Sequence, residues 1–250
     1  MVSVYRTGDK TGADWWYYHV SHLLGAKLAT GGSMPDADTI ICPNILVPQA
    51  KATGARVIAA IHRDEKPSSE ADKVIFCAEW LQKQYPVNVP SMVFRPINRL
   101  KPKAKREPSR VLGAINLTHK KGAAMLRHYF GELVVLNKSG VRGHEVIAGY
   151  QHPQAFYDQI GIFCLPSLTE GYSTVCLEAL SQSLPIIATD IPGIREVVGD
   201  ACHYVNNLTD IHNAVAHIMA NYKRYSLQSW ARWLEIKDLN NVEQLKKFCL

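Results

Sequence analysis

Short runs of apolar, largely β-branched residues recur along the chain, and between them the apolar positions fall at helical spacing. That alternation marks parallel sheets joined by crossover helices. Residues 2–6 (VSVYR), 38–42 (DTIIC), 56–61 (RVIAAI) and 73–77 (KVIFC) read as buried strands, with a helix over 14–24. From 95 to 110 the pattern stops: RPINRLKPKAKREPSR holds seven basic residues, one acid and three prolines. Neither a helix nor a core survives that composition, so a domain boundary is expected there. Alternation then resumes. Strands are expected over 110–115, 132–136, 145–149, 160–166, 185–189 and 202–205, and helices from Lys121, from Pro153 and over 174–182. From Thr209 onward helical spacing dominates and ends in NVEQLKKF, a helical tail whose docking site is not readable.

The expected class is α/β, with two doubly wound, Rossmann-like domains: 1–98, a basic linker 99–109, a second domain 110–222 and a helical tail 223–250. In such sheets ligands bind at the carboxyl ends of the strands, so chemistry belongs in the strand-to-helix loops. With 47% apolar and 20% charged residues in 250, the composition is that of a globular chain and excludes disordered, collagen-like and coiled-coil classes. The net charge of +6 is only mildly basic. No apolar run approaches the roughly 18 residues of a membrane span, and the N-terminus lacks a signal pattern, so a cytoplasmic protein is expected. Six cysteines at 42, 77, 164, 176, 202 and 249 form no CxxC pair and read as reduced, structural thiols.

The segment richest in chemistry is 165–196, LPSLTEGYSTVCLEALSQSLPIIATDIPGIRE, laid out as strand, loop, helix, strand, loop. Glu170 stands in the loop, and Glu178 falls about five residues into the helix, roughly 7 Å along its axis. Both carboxylates can then border one ligand. Glu178 sits among Leu177, Ala179 and Leu180, where a lone buried carboxylate needs a diol or a basic partner. The turn at Gly171, Tyr172, Ser173 and Thr174 offers free backbone N–H groups at a helix start, a natural phosphate seat. A capping or salt-bridge role for the acids is the structural alternative.

The run PSxxEGxxxxxLEAxxxxxPIIATxxxGxxE resembles the C-terminal signature of retaining glycosyltransferases of family 4, in a compact form. The resemblance covers most of 110–220 and implies the GT-B fold, two Rossmann-like domains facing a central cleft. It implies a hexosyl- or pentosyltransferase whose donor is a nucleotide diphosphate sugar. Glu170 would touch the sugar hydroxyls, Glu178 the ribose and Lys121 the pyrophosphate. Three positions depart from the family: Asn116 stands where it has an arginine, and Ser173 and Ser183 where it often has glycine. Lys120 or His119 is a candidate replacement for the arginine.

In the N-terminal half, His62 follows the strand IAAI where the family often has a histidine beside the donor sugar; a turn histidine is the alternative. The loop 7–13, TGDKTGA, could approach phosphates through Gly8 and Gly12, but neither GxxxxGK[ST] nor GxGxxG is present. Asp36-Ala37-Asp38 has the form of a metal-binding acidic triplet, yet after Met34-Pro35 it reads as a turn, and neither a metal nor another cofactor is expected to be required. Along the first helix Trp16, Val20, Leu23 and Leu24 share a core face, while Trp15, Tyr18, His19 and His22 share the opposite one, an acceptor stripe or simply a packed aromatic face.

The implied chemistry is transfer with retention of configuration. Lys121 and the helix end after Gly171 would stabilise the leaving phosphate, which itself takes the acceptor proton. The cations Arg99, Lys101, Lys103, Lys105 and Arg106 raise DNA as one acceptor, in the manner of phage enzymes that modify hydroxymethylated pyrimidines, whose compartment is the host cytoplasm. A glycan, lipid or small molecule is the other. A non-catalytic nucleotide-sugar- or nucleic-acid-binding protein is the reading of a different class, supported by Asn116.

Overall fold

The computed structural model describes residues 1–6, 12–31, 33–126, 129, 131–139, 145–147, 153–206 and 210–250. These divide into two compact units, Met1–Ile97 with Asp238–Leu250, and Asn98–Lys237.

In the first unit the chain runs β1 (Val2–Arg6), α1 (Gly12–Leu24), β2 (Lys27–Thr30), β3 (Thr39–Pro43), α2 (Val47–Lys51), β4 (Arg56–Ile61), β5 (Lys73–Phe76), α3 (Glu79–Gln84) and β6 (Ser91–Val93). The strands form one parallel sheet in the order β2-β1-β3-β4-β5-β6. Central strand β4 is buried over Val57–Ile61, the continuous apolar run expected of a strand covered on both faces. The sequence pattern misses β2 and β6. Both are short edge strands, partly exposed, and carry no apolar run to mark them. Trp16 and Val20 join Val4, Ile41, Ile58 and Ile75 in the core, as the helical spacing predicts, and the Trp16 indole donates to Phe94 O at 2.8 Å.

The second unit continues with β7 (Leu112–Leu117), a 3-10 turn (His119–Lys121), α4 (Ala123–Leu126), β8 (Leu133–Ser139), β9 (Glu145–Ile147), α5 (Pro153–Gln159), β10 (Ile162–Leu165), α6 (Thr174–Ser181), β11 (Ile186–Ala188), α7 (Pro192–Val198), β12 (His203–Tyr204), α8 (Asp210–Ala220) and α9 (Tyr222–Ile236). Its sheet is also parallel, in the order β12-β11-β10-β7-β8-β9. Central strand β10 is buried at all four positions, so the loop that follows it is set on a rigid element. Both units are therefore Rossmann-like, as expected. The helix expected from Lys121 is instead the 3-10 turn and the four-residue α4, because Gly122 takes a left-handed φ of 72° between them.

Two boundaries differ from the sequence reading. Residues 99–109 are no free linker but a strap bound along the C-terminal end of α6. Gln182 Nε2 donates to Lys101 O (2.8 Å), Lys103 N donates to Ser181 O (2.8 Å), and Ser183 Oγ donates to Lys103 O (2.7 Å). Arg106 donates to Gln182 O (3.1 Å) and to Tyr157 O. The last carbonyls of a helix have no intrahelical donors, and a cationic, proline-interrupted segment supplies them while complementing the negative helix end.

The expected tail 223–250 is likewise split. Helix α9 belongs to the second unit, whereas α10 (Val242–Cys249) belongs to the first. Leu245 and Cys249 of α10 are fully buried in the core of the first unit. Asn241 caps its start, accepting from Gln244 N at 2.9 Å. At its end Lys73 donates to Phe248 O and Arg56 to Cys249 O (3.1 Å), the favourable placement of cations at a helix C-terminus.

Candidate functional site

A polar constellation surrounds the loop between β10 and α6. The Lys121 ammonium pairs with Glu170 Oε1, and Ser167 Oγ donates to the same oxygen at 2.8 Å. The Glu170 side chain is 12% exposed and that of Lys121 30%, so both still reach the surface. Backbone contacts fix the two partners. Leu168 N donates to Lys120 O at 2.9 Å, and Gly122 lies so close to Pro166 O that a Cβ would collide with it. Only a glycine allows both that approach and the left-handed turn. On the other side Gly193, at the start of α7, is pressed equally close to the carbonyls of Glu170 and Gly171.

At the start of α6, Ser173 is the N-cap: its Oγ accepts from Cys176 N at 3.4 Å and its own N–H donates to Gly193 O at 3.2 Å. This is why serine replaces glycine here, since its hydroxyl meets a helix N–H that otherwise lacks a partner. Tyr172 and Gly171 are buried and Thr174 is half-buried, its N–H donating to Tyr172 O (2.9 Å).

Glu178, one and a half turns into α6, has a side chain only 1% exposed. Burial pushes its carboxyl up, while the Arg99 guanidinium and hydrogen bonds from Arg99 and Tyr157 pull it back. Arg99 Nε donates to Oε1 at 2.6 Å, Arg99 Nη2 reaches the same oxygen, and Tyr157 Oη donates to Oε2 at 3.0 Å. The buried acid therefore has the basic partner that its apolar surroundings demand. Sequence reasoning identified the need without identifying Arg99, 79 positions away, or Tyr157.

Asn116 lies at a register shift in β7 with φ of 50°, and its carbonyl accepts from Thr118 N at 2.6 Å. Asparagine is among the few residue types that enter the left-handed region readily, so the backbone accounts for the residue found there. His119 and Lys120 are exposed on the turn that carries Lys121. Gly8 lies outside the described residues.

The structure gathers Lys121, Glu170, Ser173 and Glu178 around one strand-to-helix connection of the second unit, and places His62 in the first. The His62 ring is wedged edge-on against Trp16 (4.8 Å between centroids) and Tyr17 (5.2 Å). Its Nε2 is shut off from solvent with no hydrogen-bond partner among the described residues, and burial pulls the imidazole down to about 3. Trp15 and Tyr18 are about half exposed and meet edge to face at 6.0 Å, on the face of α1 that the sequence pattern assigned to them. Asp38 pairs with the N-terminal ammonium, and Asp36 is exposed. Of the five strap cations, Arg99 and Arg106 are engaged within the second unit, which corrects their assignment to a nucleic-acid edge. Lys101, Lys103 and Lys105 are exposed, Lys103 lying 3.6 Å from Asp158.

Residues 121–221 match the protein family described as Glycosyl transferases group 1. The chain is 33% identical over 86 residues to O-antigen chain mannosyltransferase B of Escherichia coli, covering 34% of this chain and 21% of that protein. It is 31% identical over 81 residues to a sucrose synthase of Acidithiobacillus caldus, covering 32% of this chain and 10% of that one. The matches thus span about a fifth or less of these relatives' own length. The solved structure of Anabaena HepE in complex with UDP and glucose superposes with a TM-score of 0.74 at 11% identity, over 99% of this chain and 97% of that one. The fold of the two units is accordingly GT-B-like, and residues 121–221 are similar to a group 1 glycosyltransferase domain. Among the described residues no helix is long and apolar enough to cross a membrane.

Proposed function

We propose that the chain transfers a hexosyl or pentosyl group from a nucleotide diphosphate sugar to an acceptor hydroxyl with retention of configuration. The observation that carries the reading is the contact of Lys121 with Glu170 at the start of α6, inside the stretch that matches the glycosyltransferase family. UDP in the Anabaena HepE structure supports a nucleotide donor. In this assignment Lys121 neutralises the diphosphate as it departs and Glu170 accepts hydrogen bonds from the sugar hydroxyls; Glu178 is assigned to the ribose through the family resemblance alone, its carboxylate being held by Arg99 and Tyr157. The Ser173 and Thr174 N–H groups are already bonded to Gly193 O and Tyr172 O, which corrects the expectation of free amides at this turn, and what remains for the phosphates is the positive end of α6 beside Lys121. The transition state carries positive charge on the sugar ring and growing negative charge on the phosphate, so a fixed ammonium beside a fixed carboxylate stabilises both ends. The departing phosphate takes the acceptor proton, and no protein nucleophile or divalent cation is needed. His62 is assigned to the sugar through the family resemblance alone. Half-buried, with its Nε2 shut off from solvent, and neutral at physiological pH, it fits a hydrogen-bonding role better than a cationic one.

For the acceptor, a glycan or small molecule is favoured over DNA. Two of the five strap cations are spent inside the protein, which leaves three lysines to meet phosphates. Thermal melting with UDP-, GDP-, ADP-, dTDP- and CMP-linked sugars tests the donor, since a ligand at 100 times its Kd stabilises by about 2.7 kcal/mol. Release of nucleoside diphosphate separates an enzyme from a binding protein. A chain that no donor stabilises refutes the reading.

A further inference from the structure

Ser167, two residues past the end of β10, is fully buried, and the chemistry above gives its hydroxyl no task. That hydroxyl donates to Glu170 Oε1 at 2.8 Å, and the Lys121 ammonium reaches the same oxygen, so both lone-pair directions of Oε1 are filled. No described residue donates to Oε2, and the Glu170 side chain keeps 12% of its surface in solvent. The carboxylate thus has one oxygen held and the other open to a ligand. The serine is itself anchored. Thr189 Oγ1, just past β11, donates to Ser167 O, and Leu168 N donates to Lys120 O, which ties the backbone around the serine to β11 on one side and to the Lys121 turn on the other. The two donors on Oε1 differ in one respect. Lys121 is 30% exposed and carries a charge that a diphosphate attracts, whereas Ser167 is neutral, buried and out of a ligand's reach.

We propose that Ser167 is a positioning residue: it keeps the Glu170 carboxylate in place when Lys121 turns its charge to the donor diphosphate, so that Oε2 stays open to the sugar hydroxyls. The inference rests on reading Lys121 and Glu170 as donor-binding residues. Without a ligand the carboxylate has two donors, and each supports the other. Once the diphosphate has drawn the ammonium away, the serine O–H is the donor that remains among the described residues, and a hydrogen bond to an ionised group is roughly twice as strong as a neutral one. The bond is therefore worth more with the diphosphate bound than without it. Through the placement of Oε2 it also favours the transition state, in which the sugar ring gains positive charge.

The test is a double-mutant cycle on the full chain, with wild type, Ser167→Ala, Glu170→Ala and the two combined, read by titration calorimetry with UDP and, beside it, GDP and ADP. Ser167→Ala is expected to raise the diphosphate Kd about threefold or more, and to lower kcat with the matching sugar donor about tenfold, the factor that corresponds to one hydrogen bond to a charged group. On the Glu170→Ala background the same substitution should change the Kd by less than about twofold, because the group that Ser167 positions is gone. Ser167→Cys, close in size but a weak donor, should fall between wild type and Ser167→Ala. Equal Kd increases with and without Glu170 would overturn the proposal, since the serine would then merely hold its loop. So would an unchanged Kd and kcat in Ser167→Ala. If Ser167→Ala does not fold, Ser167→Cys decides: wild-type Kd and kcat there overturn the proposal. A wild type that binds no diphosphate and turns over no donor removes the donor-binding reading and this inference with it.

Discussion

Neutralising Glu170 should make the protein bind free nucleoside diphosphate more tightly, even though it damages the enzyme. Lys121 is paired with Glu170, so an arriving diphosphate competes for an ammonium already in use and meets a nearby negative charge. Two unit charges about 4 Å apart attract by about 1 kcal/mol in water and about 4 kcal/mol at the effective dielectric of a protein surface. The pair is partly exposed, at 12% and 30% of its side chains, which puts the usable part near the lower end. Releasing about 1.4 kcal/mol in Glu170→Gln corresponds to a tenfold lower Kd for UDP or whichever diphosphate the donor panel identifies. Donor turnover should move the other way. The carboxylate assigned to the sugar hydroxyls is lost, and a charged hydrogen bond of about 1.5 to 3 kcal/mol made in the transition state is worth roughly 10- to 150-fold in kcat. Titration calorimetry with the diphosphate, alongside kinetics with the sugar donor, reads both effects, and Lys121→Ala is the opposite control, weakening both. A Glu170→Gln protein that binds diphosphate no more tightly than wild type, or that melts earlier and loses everything in parallel, would refute the argument and make the ion pair structural.

Gly122→Ala should destabilise by at least about 1 kcal/mol, since it forces a side chain into the left-handed region and against Pro166 O, and the denaturation midpoint reads this. Acidification should cost stability as the pH falls from the ordinary imidazole value of 6.5 towards about 3, because the unfolded chain takes up a proton that buried His62 refuses. His62→Gln should flatten that part of the stability curve, and an unchanged slope counts against the burial argument. Turnover should survive excess EDTA; abolition by chelator with recovery on manganese would return Asp36 and Asp38 to consideration. Ser183→Ala should destabilise by about 1 kcal/mol through loss of the hydrogen bond to Lys103 O, whereas Ser183→Gly should be near neutral, because relief of a φ of 54° offsets the same loss. Equal destabilisation by both substitutions would show that backbone strain at this position is negligible.

Ser183 illustrates what the sequence could and could not disclose. Its departure from the family's usual glycine was visible, but the residue's two tasks were not. One is to occupy the left-handed position that ends α6, where Ser183 N donates to Leu180 O (3.0 Å) and Leu184 N to Ala179 O (3.1 Å), the Schellman closure. The other is to hold Lys103 through its hydroxyl. Periodicity reads contacts along one element, so the central strands and the core face of α1 were legible, because each declares its own buried side. It does not read which strap lies on which helix end. The basic segment 99–109 therefore passed for a solvated linker, and α10 for an undirected tail, although Arg56 and Lys73 wait in the first unit for its last carbonyls. The acidic pair was legible for the opposite reason. A glutamate flanked by leucine and alanine contradicts its surroundings, and that contradiction can be seen in one sequence without a partner in view. Its resolution by Arg99 and Tyr157 is long-range, and long-range pairing has no local signature. The same logic assembles the proposed site. Glu170 and Lys121 lie 49 positions apart on two loops that follow adjacent parallel strands, β10 and β7, and the sheet order alone brings them together. A site assembled by topology in this way tolerates change in the helices around it, but not in Gly122 or Gly193, where backbone approaches backbone too closely for any side chain.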